Sequence, residues 1–275
     1  MACQSDPENW YQKEFTDDEK LQLSKQLAFM VGSGYYYNQG TVPDQFLIDE
    51  ALKYNAENAV AWRERGIPYL KRGFPYEMHT YYQKVIEYDP VQWQGWRGYL
   101  YLYFYRDYER AIADFNATDT LTPDFTDYPQ AQSVDYMRGL CYYGLEDYSM
   151  ALQFFTRYVD EVTQEKDESF VDTYAFLYRG LTHEKLNQPD DALADFDRAL
   201  KYYPQLSDCY YHKSRIHYQR GENAQALQLV QEAEKYFQQG YFHLRPYVEV
   251  QEQIYQYDID QLIRKIDSRI FFTDR

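Results

Sequence analysis

Small and bulky apolar positions return along this chain with one long period. Gly32 and Gly66 stand 34 residues apart; Gly180 and Ser214 keep that spacing, and so do Ala192 and Ala226. Each period holds a stripe built round a glycine and a second stripe built round an alanine. Turn formers such as Gly144-Leu-Glu-Asp147 and Arg220-Gly-Glu-Asn223 fall between the two stripes, where a helical hairpin needs its turn. A 34-residue period with small residues at set points predicts helix-turn-helix units stacked into an all-α solenoid. Glycine on one helix and alanine on the other let the two axes approach. The large rings then fill the space to the next unit, and a single unit cannot bury its apolar face alone.

The copies differ in how fully they follow the pattern. The fullest, 173–206, carries Phe176, Gly180, His183, Ala192, Phe196, Ala199 and Pro204, and 59–92 carries Trp62, Gly66, Tyr69, Met78, Tyr82, Val85 and Pro90. Residues 207–240 supply Tyr210, Ser214, His217, Ala226, Val230 and Ala233, and 132–165 supply Gly139, Tyr142, Ala151 and Phe155. The pattern thins at 25–58 (Gly32, Tyr35, Ile48, Ala51) and at 93–117 (Trp96, Ala111, Phe115), where the second copy reads one residue short between its helices. These residues resemble the tetratricopeptide repeat family. The resemblance implies a right-handed α-solenoid of about six repeats, near 25–58, 59–92, 93–131, 132–172, 173–206 and 207–240, with a C-terminal cap.

Two spacings break the period. Ala111 to Ala151 is six residues too long, and the excess maps to 118–131, rich in turn formers and expected to project as a loop. Ala151 to Ala192 is seven too long, and the acidic stretch Asp160 to Asp172 is expected to extend a helix. Thr16 is placed to cap the first helix, with acids in its first turn. Beyond residue 240 the pattern stops. Arg245-Pro246 can open a helix, and Val250, Ile254, Leu262, Ile263 and Ile266 form a stripe that slips phase near Asp258, so 241–275 is expected to be capping helices, in two pieces.

The formal charge is −16, from 44 acidic and 28 basic residues. A phosphate backbone is repelled by such a surface, which excludes nucleic acid as a natural partner, and acidic membranes are disfavoured for the same reason. The 33 tyrosines are the unusual component; each offers an apolar body and a polar tip, suited to a core, a groove or an interface. Cys141 and Cys209 fall two repeats apart and are expected to be buried and unbridged. No metal site or cofactor is expected. His183-Glu-Lys-Leu-Asn187 starts like a zinc-protease helix but lacks the second histidine, and no nucleophile, phosphate loop or dinucleotide motif is present. The chain reads as a non-enzyme.

In the family it resembles, the first helix of each repeat lines a concave groove. That mapping nominates Arg63, Tyr101, Tyr136, Tyr143, Tyr174, Tyr178, Tyr211, Arg215 and Tyr218 as a partner-binding wall, with Ile67 and Leu177 beside them. Aromatic rings with scattered arginine suit a protein or peptide ligand. The paired Lys, Asn and Arg that clamp a C-terminal carboxylate in one branch of the family are missing. The opening Met1-Ala2-Cys3 and the polar stretch up to residue 16 resemble the mature end of a bacterial lipoprotein, with Cys3 lipidated and 1–16 as tether. Together these features point to a lipid-anchored scaffold of the bacterial envelope, on the periplasmic or surface side of the outer membrane, touching the membrane only through Cys3. A cytoplasmic adaptor for a basic peptide, and a glycan-binding envelope protein using Tyr174 and Tyr178, are the alternatives.

Overall fold

The computed structural model describes residues 14–32, 34 and 36–273. Cys3, most of the expected tether and Tyr35 lie outside the described residues. Thirteen α-helices follow one another among those residues: α1 (Asp17–Gly32), α2 (Val42–Tyr54), α3 (Ala59–Lys71), α4 (Pro75–Tyr88), α5 (Pro90–Leu100), α6 (Tyr108–Leu121), α7 (Val134–Gly144), α8 (Tyr148–Glu165), α9 (Thr173–Lys185), α10 (Pro189–Tyr202), α11 (Ser207–Gln219), α12 (Asn223–Gln238) and α13 (Gln256–Thr273). The first twelve follow one another as six helical hairpins, five paired along their lengths and the third, α5 with α6, meeting through Gly98 against Phe115 and Gly95 against Thr118. The chain divides into two compact units, one ending at Trp93 inside α5 and one starting at Gln94.

In the N-terminal unit, Thr16 caps α1 as expected: Glu19 N–H donates to its hydroxyl, and Thr16 N–H donates to the Glu19 carboxylate at 2.9 Å. Ala28, Val31, Ile48, Ala51 and Ala61 form one core cluster of this unit, and Met78, Tyr82 and Val85 of α4 are buried in the unit as well. The alanine position of α2 is held by a buried Asp44, which accepts the Gly40 N–H at 2.7 Å. Asn58 caps α3 by accepting from Ala61 N–H at 3.1 Å.

The C-terminal unit repeats one packing device. Phe155 sits against Gly139 and Phe196 against Gly180, all four deep between the helices of a hairpin. Phe115 packs in the same way against Gly98, which the sequence pattern did not single out. Gly139 precedes Ala151 and Gly180 precedes Ala192 by 12 residues, whereas Gly98 precedes Ala111 by 13. This copy is therefore one residue long rather than short. A π-helical turn, Tyr101–Tyr105, takes up the extra residue at the end of α5. Aspartates cap the helices that follow: Asp107 accepts Arg110 N–H, Asp147 accepts Met150 N–H and Asp172 accepts Tyr174 N–H.

The long spacings resolve differently. Of the expected 118–131 loop, Thr118 to Leu121 continue α6, and Pro129 is buried near Gly95. Only the tip, with Phe125 and Tyr128 exposed, projects. The acidic stretch lengthens α8 to Glu165 as expected and ends in a short 3₁₀ turn, Glu168–Phe170. Cys141 and Cys209 are buried and free. After α12 the expected helix at Arg245-Pro246 does not form. Residues 239–255 run as an irregular strap with an isolated Arg245–Val248 bridge and a bond from Ser207 N–H to the Tyr241 carbonyl at 2.8 Å, and one helix, α13, closes the unit against α12.

A tyrosine-lined inner wall and the strap that covers it

The first helices of the hairpins in the C-terminal unit present their ring-bearing faces along one side, and the strap lies on that side. The His243 ring stacks on Tyr174, centroids 3.8 Å apart, while the His243 backbone N–H donates to the Asp208 carboxylate at 2.9 Å. The Arg245 guanidinium rests over the Tyr103 ring at 4.1 Å and donates to the Tyr99 hydroxyl at 3.1 Å. Arg106 donates to the Glu249 carbonyl at 2.8 Å, and the Tyr178 hydroxyl donates to the Gln251 carbonyl at 2.9 Å. Gln251 in turn donates to the Leu140 carbonyl at 3.1 Å. Glu252 accepts from the Tyr143 hydroxyl and pairs with Lys185, each at 2.8 Å. Val250 is buried as well, while Phe242 stacks on Phe237 at 4.4 Å and Ile254 joins the apolar cluster of α12 and α13. The gap left between the strap and the wall near Tyr103 and Tyr178 is about 10 Å³, room for one water at most.

This arrangement sorts the nominated residues. Tyr136, Tyr143 and Tyr178 lie beneath or against the strap, and Tyr101 is buried in the π-helical turn. They do not line an open groove, which removes the accessible surface that a glycan on Tyr178 requires. Tyr174 is half-buried under His243. In the N-terminal unit, Arg63 lies over the Trp93 ring at 5.1 Å and pairs with Glu64. Tyr211, Arg215 and Tyr218 do remain open. With Gln219 of α11 and Tyr257, Asp258, Gln261, Leu262 and Lys265 of α13, they line a cleft of about 410 Å³. Arg215 is steadied there by Glu184 at 3.0 Å, and Arg269 covers the outer Tyr218 ring at 3.8 Å. Asp258, the only acid among the lining residues, accepts the Tyr255 N–H at 2.9 Å at the start of α13.

Burial sets the protonation of the covered wall. It pushes the phenols of Tyr136 and Tyr178 well above their ordinary value, and raises the Asp208 carboxyl to about 6 against the opposing hydrogen bond from His243. His243 and His212 are pushed down to about 3, by burial first and then by Arg245 and Arg215 respectively, so both are neutral near pH 7. Burial alone would raise Glu252, but hydrogen bonds from Lys185 and Tyr143 hold it below the ordinary carboxylate value.

Two sets of residues escaped the repeat pattern. His243, Arg245 and Glu252 of the strap were assigned to a helix; the alternation in Tyr247-Val-Glu-Val250 after Pro246 was the available sign of extended chain. The second set is a base just before the small residue of the first helix: Arg65-Gly66, Arg97-Gly98, Arg138-Gly139, Arg179-Gly180 and Lys213-Ser214. These side chains fasten helices to one another. Arg179 makes a buried two-pronged pair with Asp195 at 2.7 and 2.6 Å, and Arg97 does the same with Asp114 at 2.8 Å.

Residues 178–240 match the tetratricopeptide repeat family model, and whole-chain likenesses agree with it. Those residues carry tetratricopeptide repeats, and the chain as a whole has the fold of such proteins. PilF of Pseudomonas aeruginosa is similar at 15% identity and TM-score 0.58, over 81% of this chain and 94% of that one. A tetratricopeptide repeat protein from Parabacteroides merdae gives 14% identity and TM-score 0.55, over 89% and 84% of the two chains. PilW, described as a type IV pilus biogenesis factor, gives 18% identity and TM-score 0.55, over 82% and 93%. At these identities the likeness to solved structures is one of fold. No curated protein matches the chain. Among the described residues no helix is long and apolar enough to cross a membrane, and no group of His, Cys, Asp and Glu is arranged to hold a metal.

Proposed function

We propose that this tetratricopeptide-repeat protein is a non-enzymatic scaffold that holds a partner protein through the cleft between α11 and α13. The observation that carries the reading is the convergence of Tyr211, Tyr218, Tyr257, Arg215 and Lys265 on one open cleft of about 410 Å³. Rings and bases round a concave site suit an anchoring side chain flanked by a carboxylate. The lining carries two bases, Arg215 and Lys265, against one acid, Asp258, so an acidic segment is favoured over the basic peptide of the cytoplasmic-adaptor reading. A photo-reactive residue placed at Tyr218 in the native host tests this. One dominant protein adduct that disappears with Arg215→Glu supports the cleft; an adduct pattern unchanged by that substitution overturns it.

The same reading places the scaffold in a bacterial envelope, held by a lipid on Cys3. The Ala2-Cys3 opening supports this. So does the likeness of fold to PilW, a type IV pilus biogenesis factor. Palmitate labelling of the native gene product, lost in Cys3→Ala, is the expected result, and an unlabelled native protein removes the anchor.

A further inference from the structure

Packing inside the molecule does not explain Tyr247. Pro246 and Tyr247 form the two-residue turn that the Arg245–Val248 bridge closes, and Tyr247 holds its second corner at φ 71°. A turn with proline first and a positive φ second is of type II, and its second corner suits glycine or asparagine. A residue with a Cβ is disfavoured there. The molecule gains nothing in return, because the Tyr247 ring is 66% exposed and has no hydrogen-bond or ring partner among the described residues. A strained backbone that holds out an idle ring points to a contact outside the chain. The turn is also firmly mounted. Arg245 rests over Tyr103 and bonds Tyr99, and Arg106 holds the Glu249 carbonyl. Val250 is buried just beyond, and towards the two ends of the strap Phe242 and Ile254 pack into the apolar cluster of α12 and α13. The ring is therefore presented in a fixed place, which lowers the cost of ordering it on contact. Two residues on, the Glu249 side chain is about half exposed.

A protruding ring with a carboxylate beside it matches the chemistry of the α11–α13 cleft. We propose that the occupant of that cleft is the Pro246-Tyr247 turn of a second copy of this chain, its ring against Tyr211, Tyr218 and Tyr257 and its Glu249 carboxylate at Arg215 and Lys265. This rests on the cleft reading and names its partner. The cleft, at about 410 Å³, has room for one such ring and its flanking carboxylate. Turn and cleft are neighbours on the same unit: Tyr255, two residues before the Tyr257 of the cleft, donates its hydroxyl to Glu249, two residues after Tyr247. One two-fold axis then lets each copy seat its turn in the cleft of the other, an isologous contact that closes at two copies.

Sedimentation velocity of the full chain over a dilution series tests this. The unaltered protein is expected to form a dimer that dissociates on dilution. Tyr247→Gly removes the ring and relaxes the turn, so it should keep its helix content and melt no earlier than the unaltered protein, yet dissociate about tenfold more readily or worse. Lys265→Glu, at an exposed position of the cleft, is expected to weaken the dimer from the other side. A mixture of the two variants is the decisive arm. The intact turn of one meets the intact cleft of the other, so mixed dimers should form more tightly than those of either variant alone. The proposal is overturned if the unaltered protein stays monomeric throughout, if Tyr247→Gly dimerises as the unaltered protein does, or if the mixture is no tighter than its components. The cleft reading survives each of these results when the Tyr218 photo-adduct joins a different, acidic protein. It fails separately when no adduct depends on Arg215.

Discussion

Gly180→Ala sets two opposed effects against each other, and the structure decides between them. Alanine improves the intrinsic helix propensity of an interior position by about 1 kcal/mol. At Gly180, however, a Cβ atom would lie 2.6 Å and 2.9 Å from two ring carbons of Phe196 and 3.2 Å from the Ala192 carbonyl oxygen. Carbon atoms prefer about 3.5–4.0 Å, so the ring must retreat by roughly 1 Å. Phe196 is fully buried and stacked near His212, and the carbonyl is backbone, so neither has room to yield. Overpacking of this kind costs about 1–3 kcal/mol, and the upper part of that range applies. The expected net loss is about 1–2 kcal/mol, a fall in Tm of several degrees for a unit of this size. Urea and thermal unfolding followed by far-UV circular dichroism measure it. Gly180→Ala/Phe196→Leu, which shortens the obstructing ring, should lose less than the sum of the single variants. Gly32→Ala is the control, because its Cβ would meet nothing nearer than a Glu64 oxygen at 3.4 Å; it should be neutral or stabilising. A Gly180→Ala protein as stable as its parent would refute the close-approach argument for the whole repeat.

Three further outcomes follow from the same packing. Asp195→Ala strands the buried guanidinium of Arg179 and should cost about 3–5 kcal/mol in the urea titration; a loss below about 1 kcal/mol contradicts the buried pairing. His212 and His243 are depressed to about 3 from 6.5, so the unfolded chain binds more protons between those limits, and their contribution falls as pH drops through 6.5 toward 3. Asp208, raised to about 6, acts with the opposite sign and partly offsets them; the net loss from pH 7 to 5 should be about 2 kcal/mol, and His212→Gln/His243→Gln should turn it into a gain of about 1 kcal/mol from Asp208. Phe155→Ala should cost about 3–5 kcal/mol by emptying the space against Gly139, and a proton spectrum with unshifted Tyr136 ring signals would count against that packing.

The hairpins were legible because their spacing is enforced by sterics: Gly139 and Gly180 are the only kind of residue that admits Phe155 and Phe196 so closely. The register of the third hairpin was not, because the extra residue is absorbed inside a helix by Tyr101–Tyr105, and a pattern that counts residues between helices does not see it. The strap was misread for a different reason. Arg245-Pro246 has sound local chemistry for a helix start, but the tyrosine wall offers ring contacts and carbonyl partners that win at tertiary range. Hence Tyr136, Tyr143 and Tyr178, nominated from the repeat pattern, are buried, while Tyr211, Arg215 and Tyr218, past the reach of the strap, line the open cleft.

A plain stack of hairpins has contacts only between neighbours, so its parts can melt one at a time. The bond from Arg106 to the Glu249 carbonyl joins residues 143 positions apart, and Tyr143 to Glu252 spans 109. Those ties close a loop across four hairpins. They form last during synthesis, once the carboxyl end has left the ribosome, and they tie the separable modules of the C-terminal unit into one cooperative block.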